Sequence, residues 1–270
     1  MICTSHLYKT VNKHWTLNPK FKNYIQWNEK MNASEYQRKM TEIEVNEEFN
    51  DKIYLEHLYK YHNIPGPSII YSSNTLTDIS HIIKDISNYC VKPSHLSESQ
   101  CVIIVKNGIL HKTVKTNLIE NVKIPKKYQK YTAGYKITSA EVQDFVLFFM
   151  TVSPTWENKS RQNVKPGVVV EKLVTGSEIK IFIGLGNVLG HYGWGVEKDN
   201  YNIYIAHELA RYVAVKTGID FGRVDIVMNE NNKLVISELT LDPCIGGNAK
   251  KILKTHFQNI SKYMTNINNV

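Results

Sequence analysis

The groups best placed to do chemistry lie in one run, Arg223-Val224-Asp225-Ile226-Val227-Met228-Asn229-Glu230-Asn231-Asn232-Lys233-Leu234-Val235-Ile236-Ser237-Glu238-Leu239-Thr240. Two apolar, β-branched stretches flank a polar, Asn-rich turn, which is the pattern of a β-hairpin. With the turn at Glu230–Lys233, Asn229 faces Leu234, Asp225 faces Glu238 and Arg223 faces Thr240. Alternation then puts Arg223, Asp225, Glu238 and Thr240 on one face at the open end. Opposed carboxylates destabilise a sheet unless a cation sits between them. A hard divalent ion such as magnesium accepts such oxygens, usually together with substrate phosphates. A surface hairpin with two solvated acids is the bland alternative, and a one-residue slip in register would produce it.

Further cations and acids lie upstream. Lys92 sits inside an apolar strand, Tyr89–Pro93, where an ammonium needs an anionic partner or a cleft; a stem packed beneath a solvated head is the alternative. The loop Ser94–Gln100 offers backbone amides and the hydroxyls of Ser94, Ser97 and Ser99 beside Lys92. It holds no glycine, so close approach of its backbone to a phosphate is harder, and Glu98 would repel one. Glu171-Lys172-Leu173 ends a valine-rich strand, where a carboxylate could accept from an amino group and the following backbone could read a flat base. Lys180 alternates with Ile179, Ile181 and Ile183, as a second phosphate-facing cation or as a solvent-face residue. Gly184–Gly190 has the wrong spacing for a dinucleotide fingerprint and reads as a turn within a glycine-rich excursion reaching Gly195. Asp242 is a third acid near the hairpin or a turn former before Pro243. His95, His191 and His207 read as lone, structural histidines.

These residues need a scaffold. Helices are expected over Lys52–His62, capped by Asn50 or Asp51, and over Thr75–Ser87, Ser139–Thr151, Asn202–Thr217 and Lys251–Tyr263. Strands are expected over Ser68–Tyr71, Tyr89–Pro93, Cys101–Val105, Gly167–Val174 and Glu178–Ile183, with a turn at Thr175–Ser177. Gly218 is the natural stop of the Asn202 helix. Residues 106–135 are basic and weakly patterned, and the role of residues 1–50 is not legible.

The chain has 270 residues, 42% hydrophobic and 21% charged, a composition that supports a folded core. No apolar run reaches bilayer length, and the first residues lack a charged-then-apolar signal pattern, so a cytoplasmic protein is expected. Cys3, Cys90, Cys101 and Cys244 are scattered without metal or disulfide spacing. A net charge of +8 suits anionic or phosphate-bearing ligands, but the lysines are dispersed and no nucleic-acid motif accompanies them.

The order of these motifs resembles the ATP-grasp superfamily, and within it the TupA-like branch named after the teichuronopeptide-biosynthesis protein. The match runs from about Asp51 to Gly247. It rests on Asp51-Lys52, Val91-Lys92-Pro93-Ser94-His95, Val102-Ile103-Ile104-Val105-Lys106, Val169-Val170-Glu171, Ile179-Lys180-Ile181-Phe182, Arg223-Val224-Asp225 and Glu238-Leu239-Thr240-Leu241-Asp242-Pro243. The resemblance implies an α+β ATP-grasp fold, two α+β subdomains whose antiparallel sheets clasp a nucleotide. Residues 1–50 would be an extension, 51–165 the small lid subdomain, and 166–270 the C-terminal subdomain with the metal-binding hairpin. Lys92 and Lys180 would hold ATP phosphates, with Ser94 and Ser97 in the loop beside them. Glu171, Lys172 and Leu173 would line the adenine hinge and Glu178 the ribose, where the branch tends to have Asp. Asp225, Glu238 and Thr240 would hold Mg2+, with Mn2+ as a substitute, and Arg223 would face the phosphate or acyl group. The implied reaction is carboxylate activation: a substrate carboxylate attacks the γ-phosphorus, and an amine then attacks the acyl phosphate. Positioning and electrostatics carry such a step, in keeping with the lack of a Ser/His or Cys/His pair. The substrates would be glycan-linked, in surface-polysaccharide or glycopeptide modification, with neither nucleic acid nor membrane as partner. A kinase acting on a hydroxyl, or a non-catalytic basic glycan- or nucleic-acid-binding protein, are the rival readings.

Overall fold

The computed structural model describes residues 51–96, 99–116, 124–152, 164–184, 187–193, 200–217, 221–240 and 252. They fall into two compact units, one within Asn46–Thr175 and one within Gly176–Val270. The expectations for residues 1–50, Ser97, Glu98, Gly218, Asp242 and, Ile252 apart, the closing helix Lys251–Tyr263 lie outside the described residues.

The first unit opens with helix α1 (Lys52–Tyr61). Asp51 caps it, its side chain accepting from the Ile53 amide at 2.9 Å. Strand β1 (Ile69–Ser73) follows, then a single helical turn α2 (Ser80–Ile83). The periodicity of Thr75–Ser87 predicts a longer helix than forms. Ser73 and Thr75 bond to each other locally, Asp78 accepts from the Ser80 amide, and Leu76 is 64% exposed. These side-chain bonds to nearby groups compete with the first turns of a helix.

Strands β2 (Asn88–Pro93), β3 (Ile103–Lys106), β4 (Ile109–Leu110) and β5 (Val168–Lys172) join β1 in an antiparallel sheet of order β1-β5-β2-β3-β4. The strand expected to open the C-terminal subdomain, β5, instead pairs with β1 and β2 in the first sheet. The two compact units divide after Thr175. Alternation sorts the sheet's faces. Tyr89, Val91, Ile103, Val105, Val168 and Val170 pack with Val142, Phe145, Val146 and Phe149 of helix α3 (Ser139–Phe149) in the unit's core. A capping box starts α3: Thr138 accepts from the Glu141 amide while Glu141 accepts from the Thr138 amide. Cys90, Lys92, Val169 and Glu171 leave the other face, where α1 contacts β1 and β5.

The second unit is a four-stranded antiparallel sheet of order β7-β6-β8-β9, from β6 (Gly176–Gly184), β7 (Asn187–Gly193), β8 (Phe221–Asn229) and β9 (Leu234–Thr240). Helix α4 (Asn200–Thr217) contacts β6 and β7, with Ala206, Ala210, Val213 and Ala214 buried. Two readings of the sequence are corrected here. Thr175–Ser177 was expected as a turn, yet β6 begins at Gly176, which pairs with Asn229. The glycine-rich stretch was expected as a turn, yet Asn187–Gly193 is a strand paired along β6. Val188, Leu189, His191 and Tyr192 supply the β-compatible side chains, and Gly193 lies where a Cβ would meet the Glu178 carbonyl at 2.4 Å.

Candidate functional site

The hairpin β8–β9 has the expected pairing at its open end and a different one at its tip. Arg223 faces Thr240 and Asp225 faces Glu238, but Met228, not Asn229, faces Leu234. A β-bulge between Asp225 and Ile226 reconciles the two ends, leaving Ser237 as the extra residue on β9. At the tip, the Asn229 side chain accepts from the amides of Asn231 and Lys233 and fixes a turn one residue longer than expected. At the bulge, Ser237 donates to the Asp225 backbone carbonyl at 3.1 Å and to Glu178 at 3.4 Å.

Pairing carries the open end across the whole sheet. Tyr192, Lys180, Asp225 and Glu238 form one row over β7, β6, β8 and β9. Gly190, Phe182, Arg223 and Thr240 form the next, on the same face. Tyr192 and Phe182 stack with centroids 5.9 Å apart. Sequence reasoning gave neither aromatic a role; the alternation of Phe182 with Lys180 was the one available signal.

Asp225 is the centre of the cluster, 1% exposed. Arg223 donates to it through Nε at 2.6 Å and Nη2 at 2.9 Å, and Lys180 through Nζ at 2.5 Å. Lys180 also lies 3.0 Å from Glu178, and Arg223 3.8 Å from Glu238. Burial lifts the Asp225 carboxyl above the ordinary carboxylate range, against the opposing pull of Arg223 and Lys180. Burial pulls Lys180 and Arg223 down, and Asp225 outweighs it, leaving both raised. The cation expected between the two acids is therefore supplied in part by the protein itself.

The donor set fits a hard divalent ion. Asp225 and Glu238 present carboxylate oxygens, and the Glu238 side chain is 46% exposed. Thr240 Oγ1 is buried with no hydrogen-bond partner, an oxygen left for a ligand. Among the described residues no cluster of three or more His, Cys, Asp and Glu could hold a metal. Magnesium commonly takes one or two carboxylates and completes its shell with water and phosphate.

In the first unit, Lys92 Nζ lies 2.5 Å from Glu171 Oε2, with side chains 20% and 11% exposed. The lysine has found its anionic partner within the sheet, and the Glu171 carboxylate is engaged rather than vacant. The amides of Lys172 and Leu173 donate to the carbonyls of Ser68 and Asn88. Those two amides are therefore spent within the fold, at the stretch expected to line an adenine hinge. The loop after Pro93 also departs from expectation over its described part. Ser94, His95 and Leu96 are buried. Ser94 Oγ donates to the Lys165 carbonyl at 3.3 Å.

His95 is structural, as expected. Its Nε2 lies 2.9 Å from the Val152 carbonyl, its Nδ1 accepts from the Gly167 amide, and burial holds the imidazole down at about 4. His191 and His207 are not lone: Nε2 of His207 lies 2.9 Å from Nδ1 of His191, tying α4 to β7. Burial and the neighbouring imidazole hold His207 at about 4. The basic surface is partly neutralised, Lys127 pairing with Asp144 and Lys130 with Glu141. Cys90 and Cys101 are buried free thiols pushed up to about 12 by desolvation. No helix among the described residues is long and apolar enough to cross a membrane.

No protein-family model matches the chain, and no curated protein matches it by sequence. Solved structures do. The chain is similar to the βγ-ATP complex of biotin carboxylase from Campylobacter jejuni, with a TM-score of 0.51, 11% identity and coverage of 79% of this chain and 46% of that one. D-alanine–D-alanine ligase from Bacillus anthracis matches at TM-score 0.49 and 14% identity, covering 81% and 66%. The ATP-grasp ligase PsnB, complexed with precursor peptide PsnA2 and AMPPNP, matches at TM-score 0.45 and 9% identity, covering 80% and 57%. The chain thus spans roughly half to two-thirds of the length of these proteins. The architecture of two α+β units with antiparallel sheets, and the likeness to the biotin carboxylase structure, identify the chain's fold as the ATP-grasp fold.

Proposed function

We propose that this protein is an ATP- and magnesium-dependent carboxylate–amine ligase that works through an acyl phosphate. One observation carries the reading: the row Lys180–Asp225–Glu238, with Arg223 and Thr240 beside it, on one sheet face of an ATP-grasp fold. Asp225, Glu238 and Thr240 would hold Mg2+, which when bound neutralises phosphate charge. Lys92 and Lys180 neutralise phosphate oxygens, Arg223 steadies the transferred phosphoryl or acyl group, and Glu171, Lys172, Leu173 and Glu178 line the base and ribose. All of these roles act by position and charge, and none requires a protein nucleophile. The motif order supports the TupA-like branch and, with it, a glycan-linked carboxylate or amine in surface-polysaccharide or glycopeptide modification. The same reading puts the reaction in the cytoplasm, with its ATP, and makes residues 1–50 an extension of the catalytic body.

Hydroxylamine tests the reaction. With an accepted carboxylate, ATP and magnesium, the enzyme should yield a hydroxamate and a matching amount of phosphate, and Glu238→Gln should lose both. A stable phosphorylated product without hydroxamate would replace the ligase with a kinase.

A further inference from the structure

We propose that the resting cluster is a charge cage, one that admits polyphosphate and a divalent cation together and resists either alone. The inference rests on the nucleotide reading above and concerns how that site is controlled. Both oxygens of Asp225 are occupied, Oδ1 by Arg223 and Oδ2 by Lys180 and Arg223. A bare divalent ion arriving there meets two cations already in place. The cations are equally committed: Lys180 is shared between Asp225 and Glu178, and Arg223 lies near Glu238 as well as Asp225. Lys180 and Arg223 stand against Glu178, Asp225 and Glu238, so the cluster carries one net negative charge. A metal-free polyphosphate is repelled by that balance. It could recruit Lys180 only by depriving a buried carboxylate of a partner.

A divalent ion reverses the sign, from one net negative charge to one net positive. Glu238, partly exposed, and Thr240 Oγ1, without a partner, are the donors not already committed to a close ion pair. As the ion takes Asp225, Lys180 and Arg223 are released to the phosphates. Each ligand thus removes what hinders the other, and the coupling is reciprocal: the factor by which metal tightens ATP is the factor by which ATP tightens metal.

Chelation of magnesium by ATP in solution also links the two, so the test turns on variants and on metal-free ATP. Isothermal calorimetry in excess chelator should show Asp225→Asn binding ATP at least about tenfold tighter than the wild type. That is the low end of what one charge-assisted hydrogen bond supplies. With magnesium present the same variant should bind ATP more weakly than the wild type. Glu178→Gln, at a side chain 39% exposed, should likewise tighten metal-free ATP and keeps the test open if Asp225→Asn fails to fold. Mn2+ titrated by electron paramagnetic resonance should bind wild-type protein weakly without nucleotide. Metal-free affinity that is unchanged or lower in both variants, while wild type binds Mg-ATP, would overturn the cage and leave the nucleotide reading standing. Absence of ATP binding with and without magnesium would overturn both.

Discussion

The Lys92–Glu171 pair separates a group's contribution to the fold from its contribution to a ligand. The two side chains are diagonal neighbours on one sheet face, since Cys90 faces Glu171 and Lys92 faces Val169. Cys90 and Val169 are 5% and 1% exposed, so the pair sits in a largely dry surround. Lys92→Met keeps the stem and removes the ammonium 2.5 Å from Glu171. Stripping a fully buried pair of one partner costs about 3–5 kcal/mol and an exposed pair about 0–1. At 20% and 11% exposure the expected cost is about 2–3 kcal/mol. Lys92→Met/Glu171→Gln removes both charges of the pair and should recover to within about 1 kcal/mol of the wild type. A chain of two units need not unfold in one step, so native-state hydrogen exchange at the β2 and β5 amides is the suitable assay. The single variant should exchange there roughly 30–150 times faster, and the double variant close to the wild-type rate. Both should bind ATP more weakly. Equal acceleration in single and double variants would refute the orphaned-charge reasoning. Full ATP affinity in both would remove Lys92 from the site.

Acid should weaken the fold through His95. Its folded imidazole is held at about 4 against an ordinary 6.5, so its contribution is fully present above pH 6.5 and is lost as pH falls from 6.5 through about 4. The loss reaches about 3 kcal/mol, and urea midpoints measured at pH 7 and 4.5 should differ less in a His95→Gln variant than in the wild type. Gly176→Ala should destabilise β6 by about 2–4 kcal/mol. Its φ is +157° and a Cβ would lie 1.9 Å from the Met228 carbonyl oxygen, so a lowered melting temperature with loss of β6–β8 protection is expected. Lys180→Met should weaken ATP more than adenosine, by about 1.5–3 kcal/mol in calorimetry. Equal losses would make the lysine a packing residue.

The sequence was most readable where period and chemistry agreed. Asp51 before Lys52–Tyr61 was visible because cap and apolar spacing coincide. The facing of Asp225 with Glu238 was legible from alternation, yet the register behind it differed. A longer turn and a bulge cancel, and no local pattern announces either. Strand β7 was hidden because its glycines look like a loop and its partner β6 is what makes it a strand. The partners of β5 were illegible for a related reason: a valine run declares a buried strand but not its neighbours. Ion-pair partners were out of reach for the same cause. Lys92 advertised its need for an anion, and only folding brings Glu171, distant in sequence, alongside it.

The bulge at Ser237 has a consequence for how this hairpin tolerates change. Residues on the tip side of it follow one phase of the ladder and those on the open side another, so the bulge acts as a phase shifter between turn and cluster. Residues 230–233 of the turn are exposed, and the Asn229 side chain closes it with its own hydrogen bonds. Changes in its length can be absorbed at the shifter before they reach Asp225. The tip is therefore free to diversify, and to carry a label or a short graft, while Ser237 keeps the far end in step.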